Sequence, residues 1–534
     1  MIKDLDLLSV YEDKQDSNKS LGDYMTKRAI IGCIKRQLPE EKVNVIETLG
    51  ADTVLKLFFR FPNRWWPVGS PDFVFIWSEE DRRRLTENVL KDLLRMESLE
   101  IVGIPIFISE EHILIKQLYQ SSSENLQKLF YKPLTASNAP SVVIAGAGPA
   151  GIAAASKLLQ NNVTDITILE AENRIGGRVY SVKFGDAFID LGAQWCHGEE
   201  NNIVLEKSAL SVEGAFSWFD VAAAQDYKEC EGNSVLDWKG RGYKTILDVL
   251  MQKYPNPENQ LPIDDKIFLN KEVATVEWNN TDKAYSEKAV VKCKDGSTYY
   301  ADHVIFTPSL GVLKHNYKTL FRPSLPVEKV NAIETLGIDA VLKVFLHFPN
   351  RWWPGVSSPG LMFIWSEEDK SRLVEEFPKG PIKNGSSWLS NLLGVFAVNE
   401  ENPNLLVAWF LGEMVPDIEK CSDNVLSDGI MFAVNKFLKN KFPNITPPDA
   451  IIYNNWYSNP HFRGVYSYQT IASRQFGESP EVILSKPLTA SNGKQTLLFA
   501  GEATHPIYYS AVHGAIETGH REAQRIIDIY SDYL

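Results

Sequence analysis

Three glycines set the first chemical possibility. Gly146-x-Gly148-x-x-Gly151 follows the apolar run SVVIAGAG (141–148) and opens the Ala-rich run GIAAASKLLQ (151–160). Gly146 permits a tight turn, Gly148 lets the backbone approach a pyrophosphate, and Gly151 lets a helix pack close to a strand. A pyrophosphate seated there meets the free N–H groups and the positive dipole end of the helix. Glu170 closes the next apolar run, ITILE (166–170), 24 residues after Gly146. A carboxylate at that place accepts hydrogen bonds from ribose hydroxyls and disfavours a 2′-phosphate. The bland alternative is a glycine turn in an α/β protein with no ligand.

A second group chooses among dinucleotides. Arg174-Ile-Gly176-Gly177-Arg178 follows Glu170 within eight residues. A nicotinamide dinucleotide has no need of this second glycine pair, whereas the longer FAD needs further backbone approach and a cation. A third possibility is Lys343, in LGIDAVLKVFLHF (336–348). A lysine amid Val, Leu and Phe either faces solvent from one side of a strand or is buried for a purpose, because unpaired Lys is almost never buried.

The elements that must hold these residues read as alternating helix and strand. The runs 141–148, 151–160 and 166–170 form a βαβ unit with a right-handed crossover. Strands are expected at 272–278, 288–295, 300–307, 340–348, 404–412 and 494–501, and helices at 427–440 and 515–534. The fold class is therefore α/β.

Composition narrows the partners. The chain has 534 residues and a net charge of −13, with 44% apolar and 23% charged residues, which is a globular balance. The acidic excess argues against nucleic acid as a partner, since duplex binding needs clustered Lys and Arg. The five cysteines are scattered, with no zinc-like spacing, so no metal site is expected and a reducing compartment fits. The opening MIKDLDLLSVYEDK lacks the marks of a signal peptide, no stretch is long and apolar enough to span a membrane, and SDYL is no organelle address. The expected location is the cytoplasm, with no membrane partner.

The chain also repeats itself. Residues 38–67 and 325–354 agree at 23 of 30 positions, at an offset of 287. FIWSEED recurs at 75–81 and 363–369, and KPLTASN at 132–138 and 486–492, the last at an offset of 354. This is not a solenoid, whose repeats are short, regular and three or more in number. Residues 1–138 read as a truncated duplicate fused ahead of a complete unit. They are either a relic of duplication or joining, or a regulatory or dimer-forming appendage with an apolar surface to cover.

With these residues in view, the segment 141–198 resembles the N-terminal FAD-binding stretch of the flavin-containing amine oxidases, and IDLGAQWCHG (189–198) is similar to their polyamine-oxidase branch. The resemblance continues through ADHVIFTPSLGVLK (301–314), NNWYSNPHFRGVYSY (454–468) and FAGEATHPIYYSAVHGAIETGHREA (499–523), and so covers 139–534. It implies a Rossmann-like FAD-binding domain (139–198, 237–317 and 469–534) and a discontinuous sheet-and-helix substrate domain (199–236 and 318–468) of α+β type. It implies further that Gly146, Gly148, Ala150 and Gly151 cradle the pyrophosphate, Glu170 holds the adenosine ribose, and Gly177 and Arg178 meet phosphate. Gly192, Ala193, Gln194, Trp195 and Trp456 would line the flavin, Val273 would offer its backbone to the adenine, Glu502 would hold the ribityl chain, and Val512 the pyrimidine edge. Lys343 stands where the family has a lysine bonded through water to flavin N5. Lys56, its counterpart in the first copy, has no glycine motif ahead of it and is expected to be inert.

The implied reaction oxidises a polyamine with oxygen as final acceptor. The amine must be neutral to react, so the site needs an aromatic channel dry enough to lower its pKa. His197 matches a histidine of the amine channel, and Trp195, Tyr466, Ser510 and Ala511 would form its walls. Val465 stands where monoamine oxidases carry the flavin-linking cysteine, which implies non-covalent FAD, and small Ala511 leaves room for a long thin chain. One departure stands out: only about forty residues separate Gly198 from Gly240, where the family inserts a long helical part. Part of that helical segment resembles SLGDYMTKR (20–28), which lies in the appendage. The rival readings are an oxidase of other amines, methylated lysine tails included, and a flavin-binding protein without turnover.

Overall fold

The computed structural model describes residues 139–196, 230, 238, 240–280, 288–353 and 360–531. His197, Lys56, the whole first copy and nearly all of 199–236 lie outside the described residues.

The glycine-rich segment forms as its pattern requires. Strand β1 (Val142–Ala145) leads through the glycine turn into helix α1 (Pro149–Gln160), and β2 (Ile166–Leu169) returns parallel to β1 in the register Val142↔Ile166. Proline at the first helical position suits α1, because the missing N–H has no helical partner there in any case. The sheet has six strands, in the order Leu488–Thr489, Gln495–Phe499, His303–Phe306, β1, β2, Ile267–Phe268. Its strands are parallel except for the antiparallel edge strand Leu488–Thr489.

Both faces of this sheet are buried, which is why its strands read as continuous apolar runs rather than alternating ones. Val142 and Ile144 face a core built with Ile152 and Leu158 of α1 and with Ile516, Ala523 and Ile526 of α2 (Val512–Ile529). Val143 and Ala145 face the opposite core, with Val276, Val291, Leu313 and Phe321. Those residues belong to a four-stranded sheet and its flanking helix, the sheet running Phe321–Arg322, Val273–Glu277, Ala289–Cys293, Thr298–Ala301.

One expectation needs correction here. The run 300–307 is two strands, not one, because the chain changes sheets at Asp302. Thr298–Ala301 pairs antiparallel with Ala289–Cys293, whereas His303–Phe306 pairs parallel with β1. The Asp302 carboxylate anchors the switch by accepting from the N–H of Ser141 at 3.0 Å and from its hydroxyl at 2.8 Å.

Helices α1 and α2 touch through backbone. A Cβ built on Gly519 would lie 2.1 Å from the carbonyl oxygen of Ala150. Gly519→Ala must therefore push α2 off the start of α1, at roughly 1–3 kcal/mol for overpacking. It is expected to lower the Tm and to loosen the glycine turn. An unchanged Tm would mean that the two helices are not pressed together there.

A hairpin of β3 (Ser181–Phe184) and β4 (Ala187–Asp190) links this half to a five-stranded antiparallel sheet. In that sheet β5 (Val341–His347) lies between the central strand β6 (Leu405–Leu411) and the edge strand Ala450–Tyr453, with Leu392–Ala397 and Leu361–Met362 beyond β6. One of its faces packs on the helix Asp423–Leu438 through Leu342, Val344, Leu346, Ala408 and Phe410. Phe345 and Val407 point to the other face and meet Ile189 of the hairpin and Leu191 just after it.

Candidate functional site

The two glycine loops stand face to face. Gly146 has φ +109°, and a Cβ on it would lie 2.3 Å from Thr307 Oγ1, while one on Gly151 would lie 2.0 Å from the carbonyl oxygen of Gly146. Gly177 has φ +56°, and its Cβ would come within 3.3 Å of Gly148 Cα. Helix α1 opens at Gly148 with no side-chain cap and no acidic residue in its first turn, so its N–H groups and dipole are left to an anion. Ala150 is in that first turn.

Glu170 braces the turn from below. Its Oε2 accepts from the N–H of Ala147 at 2.7 Å and its Oε1 from the N–H of Glu172 at 2.8 Å. The side chain is 6% exposed. Burial pushes its pKa up, and the two N–H bonds and the charge of Arg174 oppose that push. Each carboxylate oxygen keeps a second lone pair for a diol. The carbonyl of Glu170 accepts from Lys271, which places Val273 two residues along, at the start of its strand.

Arg178 and Glu502 meet each other. Arg178 Nη1 donates to the Val465 carbonyl at 2.6 Å and to Glu502 Oε1 at 2.9 Å. Glu502 Oε2 accepts from the Ser467 hydroxyl at 2.6 Å and from the Ser510 N–H at 2.8 Å. Ser510, at φ +67°, turns the chain into α2, its hydroxyl donating to the Ser467 carbonyl. Ala511 then stands before the first helical residue, Val512, again without a side-chain cap or an acid in the first turn. Arg178 and Glu502 thus form one ion pair rather than two separate groups.

The segment 191–195 runs between that pair and β5. Ala193 donates its N–H to the Arg178 carbonyl at 3.1 Å, and Trp456 Nε1 donates to the Leu191 carbonyl at 3.1 Å. Gly192 is held so tightly that a Cβ would fall 1.9 Å from the Arg178 carbonyl oxygen. Trp456 is buried edge-on against Phe462, whereas Tyr466 is half-buried and accepts a backbone bond from Asp339 at 2.9 Å.

Lys343 does not face solvent. It is 7% exposed, and its Nζ donates to the carbonyls of Asp190 at 2.6 Å and Gly192 at 2.7 Å and to Gln194 Oε1 at 3.1 Å. Burial drives its pKa down from 10.5 to about 7, against the pull of Asp190. Directly across the sheet stands Trp409, whose ring lies parallel to that of Trp195 at 5.8 Å, with Nζ 5.5 Å from the Trp409 ring. Trp409 escapes a reading of the sequence because LLVAWFL looks like core throughout; its one signal is cross-strand pairing with a buried lysine.

A largely parallel sheet with a glycine turn, an uncapped helix start and a carboxylate after the second strand is the arrangement of nucleotide-binding α/β proteins. Residues 149–247 and 227–527 match the family described as flavin containing amine oxidoreductase, and the chain belongs to that family. It is 29% identical over 354 residues to the bovine peroxisomal N(1)-acetyl-spermine/spermidine oxidase, covering 63% of this chain and 65% of that protein. Similarity to the human protein of the same name is 28% over 297 residues, covering 54% of this chain and 55% of that one. The chain thus spans less than two thirds of the length of these mammalian relatives. It is also 24% identical to the probable polyamine oxidase 5 of Arabidopsis thaliana, covering 73% of this chain and 98% of the relative.

The family's cofactor is FAD, and the residues fit it: two opposed glycine loops, in one of which a Cβ on Gly146 or Gly151 would clash, an uncapped helix start for the pyrophosphate, and a buried carboxylate with lone pairs to spare. Val465, not cysteine, stands at the position of the covalent link, so the FAD is non-covalent. Among the described residues no group of His, Cys, Asp and Glu is arranged to hold a metal, and no helix is long and apolar enough to cross a membrane.

Proposed function

We propose that this chain oxidises polyamines, spermine or N-acetylated spermine and spermidine, at a carbon beside nitrogen. The observation that carries this reading is Lys343, a lysine stripped of water at the junction of the glycine-loop half and the antiparallel sheet, beside a stacked tryptophan pair. Relatives named as polyamine oxidases support the substrate class. In this reading residues 139–198, 237–317 and 469–534 hold the cofactor, and 199–236 and 318–468 the substrate; the confinement of the five-stranded sheet to 341–453 supports that division.

Bound FAD supplies the two-electron acceptor that oxygen later regenerates with release of hydrogen peroxide. The chain's residues do the rest. The N–H groups of Ala150 and Gly151 and the Arg178 guanidinium hold the pyrophosphate, Glu170 holds the ribose diol, and Glu502 the ribityl hydroxyls. Trp195, Tyr466 and Trp456 exclude water, so the substrate amine arrives without its proton and with a lone pair to push. The substrate C–H then leaves as hydride with its bonding electrons, and the resulting imine takes up water to give an aldehyde and a smaller amine. Lys343 holds the water that bridges toward the reacting edge through the one donor that Gln194 can release, and His197, outside the described residues, handles the substrate nitrogen. Small Ala511 leaves the passage wide enough for a linear chain.

The short stretch 199–236 favours one competing reading, a flavin carrier without turnover. Peroxide release from the full-length chain with spermine, N1-acetylspermine and benzylamine separates them. The expected result is peroxide with a polyamine and none with benzylamine. Peroxide with benzylamine alone would indicate another amine class, and none with any amine a carrier.

A further inference from the structure

An ammonium has three N–H donors, and all three of Lys343's are directed at one turn. Two go to backbone carbonyls, of Asp190 and Gly192, which the hairpin and the Arg178 contact hold in place. The third goes to the side-chain oxygen of Gln194, at 3.1 Å. The Phe345 and Trp409 rings, 5.6 and 5.5 Å from Nζ, cover the ammonium with their faces. The carboxylate facing it is Asp190, which accepts from the Ser181 hydroxyl and from the N–H of Tyr243, with Cys196 and Tyr243 as the next titratable groups. Strand β6 carries no titratable side chain, and Ala450–Tyr453 carries Tyr453, whose hydroxyl donates to Asp423 at 2.8 Å. The Gln194 contact is thus the only one of the three that a single side-chain rotation releases.

We propose that Gln194 is a positioning residue for Lys343: its amide oxygen takes the third ammonium donor, and so fixes where that proton points and how readily the lysine gives it up. An amide oxygen only accepts, so it favours the charged lysine. When it rotates away, one donor is freed while two backbone bonds keep the nitrogen in place. The catalytic consequence rests on the amine-oxidase reading above; the contact itself does not.

The test compares the FAD-loaded full chain with Gln194→Glu, Gln194→Leu and Lys343→Met. The first readout is the pH dependence of thermal unfolding, which needs no turnover. The folded lysine titrates at about 7 and the unfolded one at 10.5, so the unfolded chain binds the extra proton between them and stability rises with pH across that window. Lys343→Met lacks this rise and identifies it. Gln194→Glu, which has nearly the same shape, is expected to move the onset up by about one pH unit, and Gln194→Leu to move it down. An onset at the same pH in all three Gln194 forms would overturn the proposal. The second readout is the pH profile of anaerobic flavin bleaching by spermine. The limb missing from Lys343→Met is expected to move in the same directions. A moved thermal onset with an unmoved limb would overturn the positioning role. If no amine bleaches the flavin, the function reading fails and the thermal comparison still decides the contact.

Discussion

Lys343→Met is expected to slow reduction of the bound flavin by spermine about 10²-fold or more while FAD stays in place, the scale on which a positioned proton-handling group acts. Methionine matches the lysine stem in length and carries no donor. The carbonyls of Asp190 and Gly192 and the amide of Gln194 then lose their shared partner, and no ammonium remains to hold a water. The cofactor cradle does not depend on that nitrogen. Gly146, Gly148 and Gly151 and the Glu170 brace belong to the parallel sheet and α1, not to β5. Stopped-flow bleaching under anaerobic conditions, normalised to bound FAD, measures the effect. An unchanged rate would remove Lys343 from the chemistry and leave it as a buried anchor between two halves of the chain.

Glu170→Ala is expected to empty the cofactor site, lowering FAD content at least about tenfold, which corresponds to roughly 1.4 kcal/mol of binding. Two losses add. The ribose diol loses its acceptor, and the N–H groups of Ala147 and Glu172 lose theirs. An unmade buried hydrogen bond costs about 1–3 kcal/mol, and Ala147 lies inside the turn that must hold the pyrophosphate. Glu170→Gln keeps one acceptor oxygen but turns the other into a donor aimed at an N–H, so it is expected to fall between. The ratio of FAD to protein after gel filtration is the measurement. Normal FAD in Glu170→Ala would contradict the ribose role.

Much of this site was legible because its chemistry is local. Gly146 to Glu170 spans one βαβ unit, and the spacing follows from a turn, a helix and a strand. The contacts that complete it are not local. Lys343 meets Gly192 and Gln194 across some 150 residues, and Arg178 meets Glu502 across 324. Nothing in the residue pattern around 194 or 502 shows which side chain turns toward which. Trp409 stayed hidden for the same reason, since an indole in an apolar strand reads as core until its neighbour across the sheet is a lysine. The break at Asp302 is not marked by a glycine or proline, so two short strands in different sheets read as one run.

On the proposed function, the chain after residue 138 holds FAD beside a buried lysine and feeds it a neutral polyamine nitrogen. Mixing purified full-length chain with spermine in the absence of oxygen tests it most directly. A yellow protein that bleaches with spermine, recovers its colour when air is admitted and releases one peroxide per flavin is the predicted result. A colourless protein that takes up no FAD, or a yellow one that spermine and its acetylated form leave yellow, would contradict it.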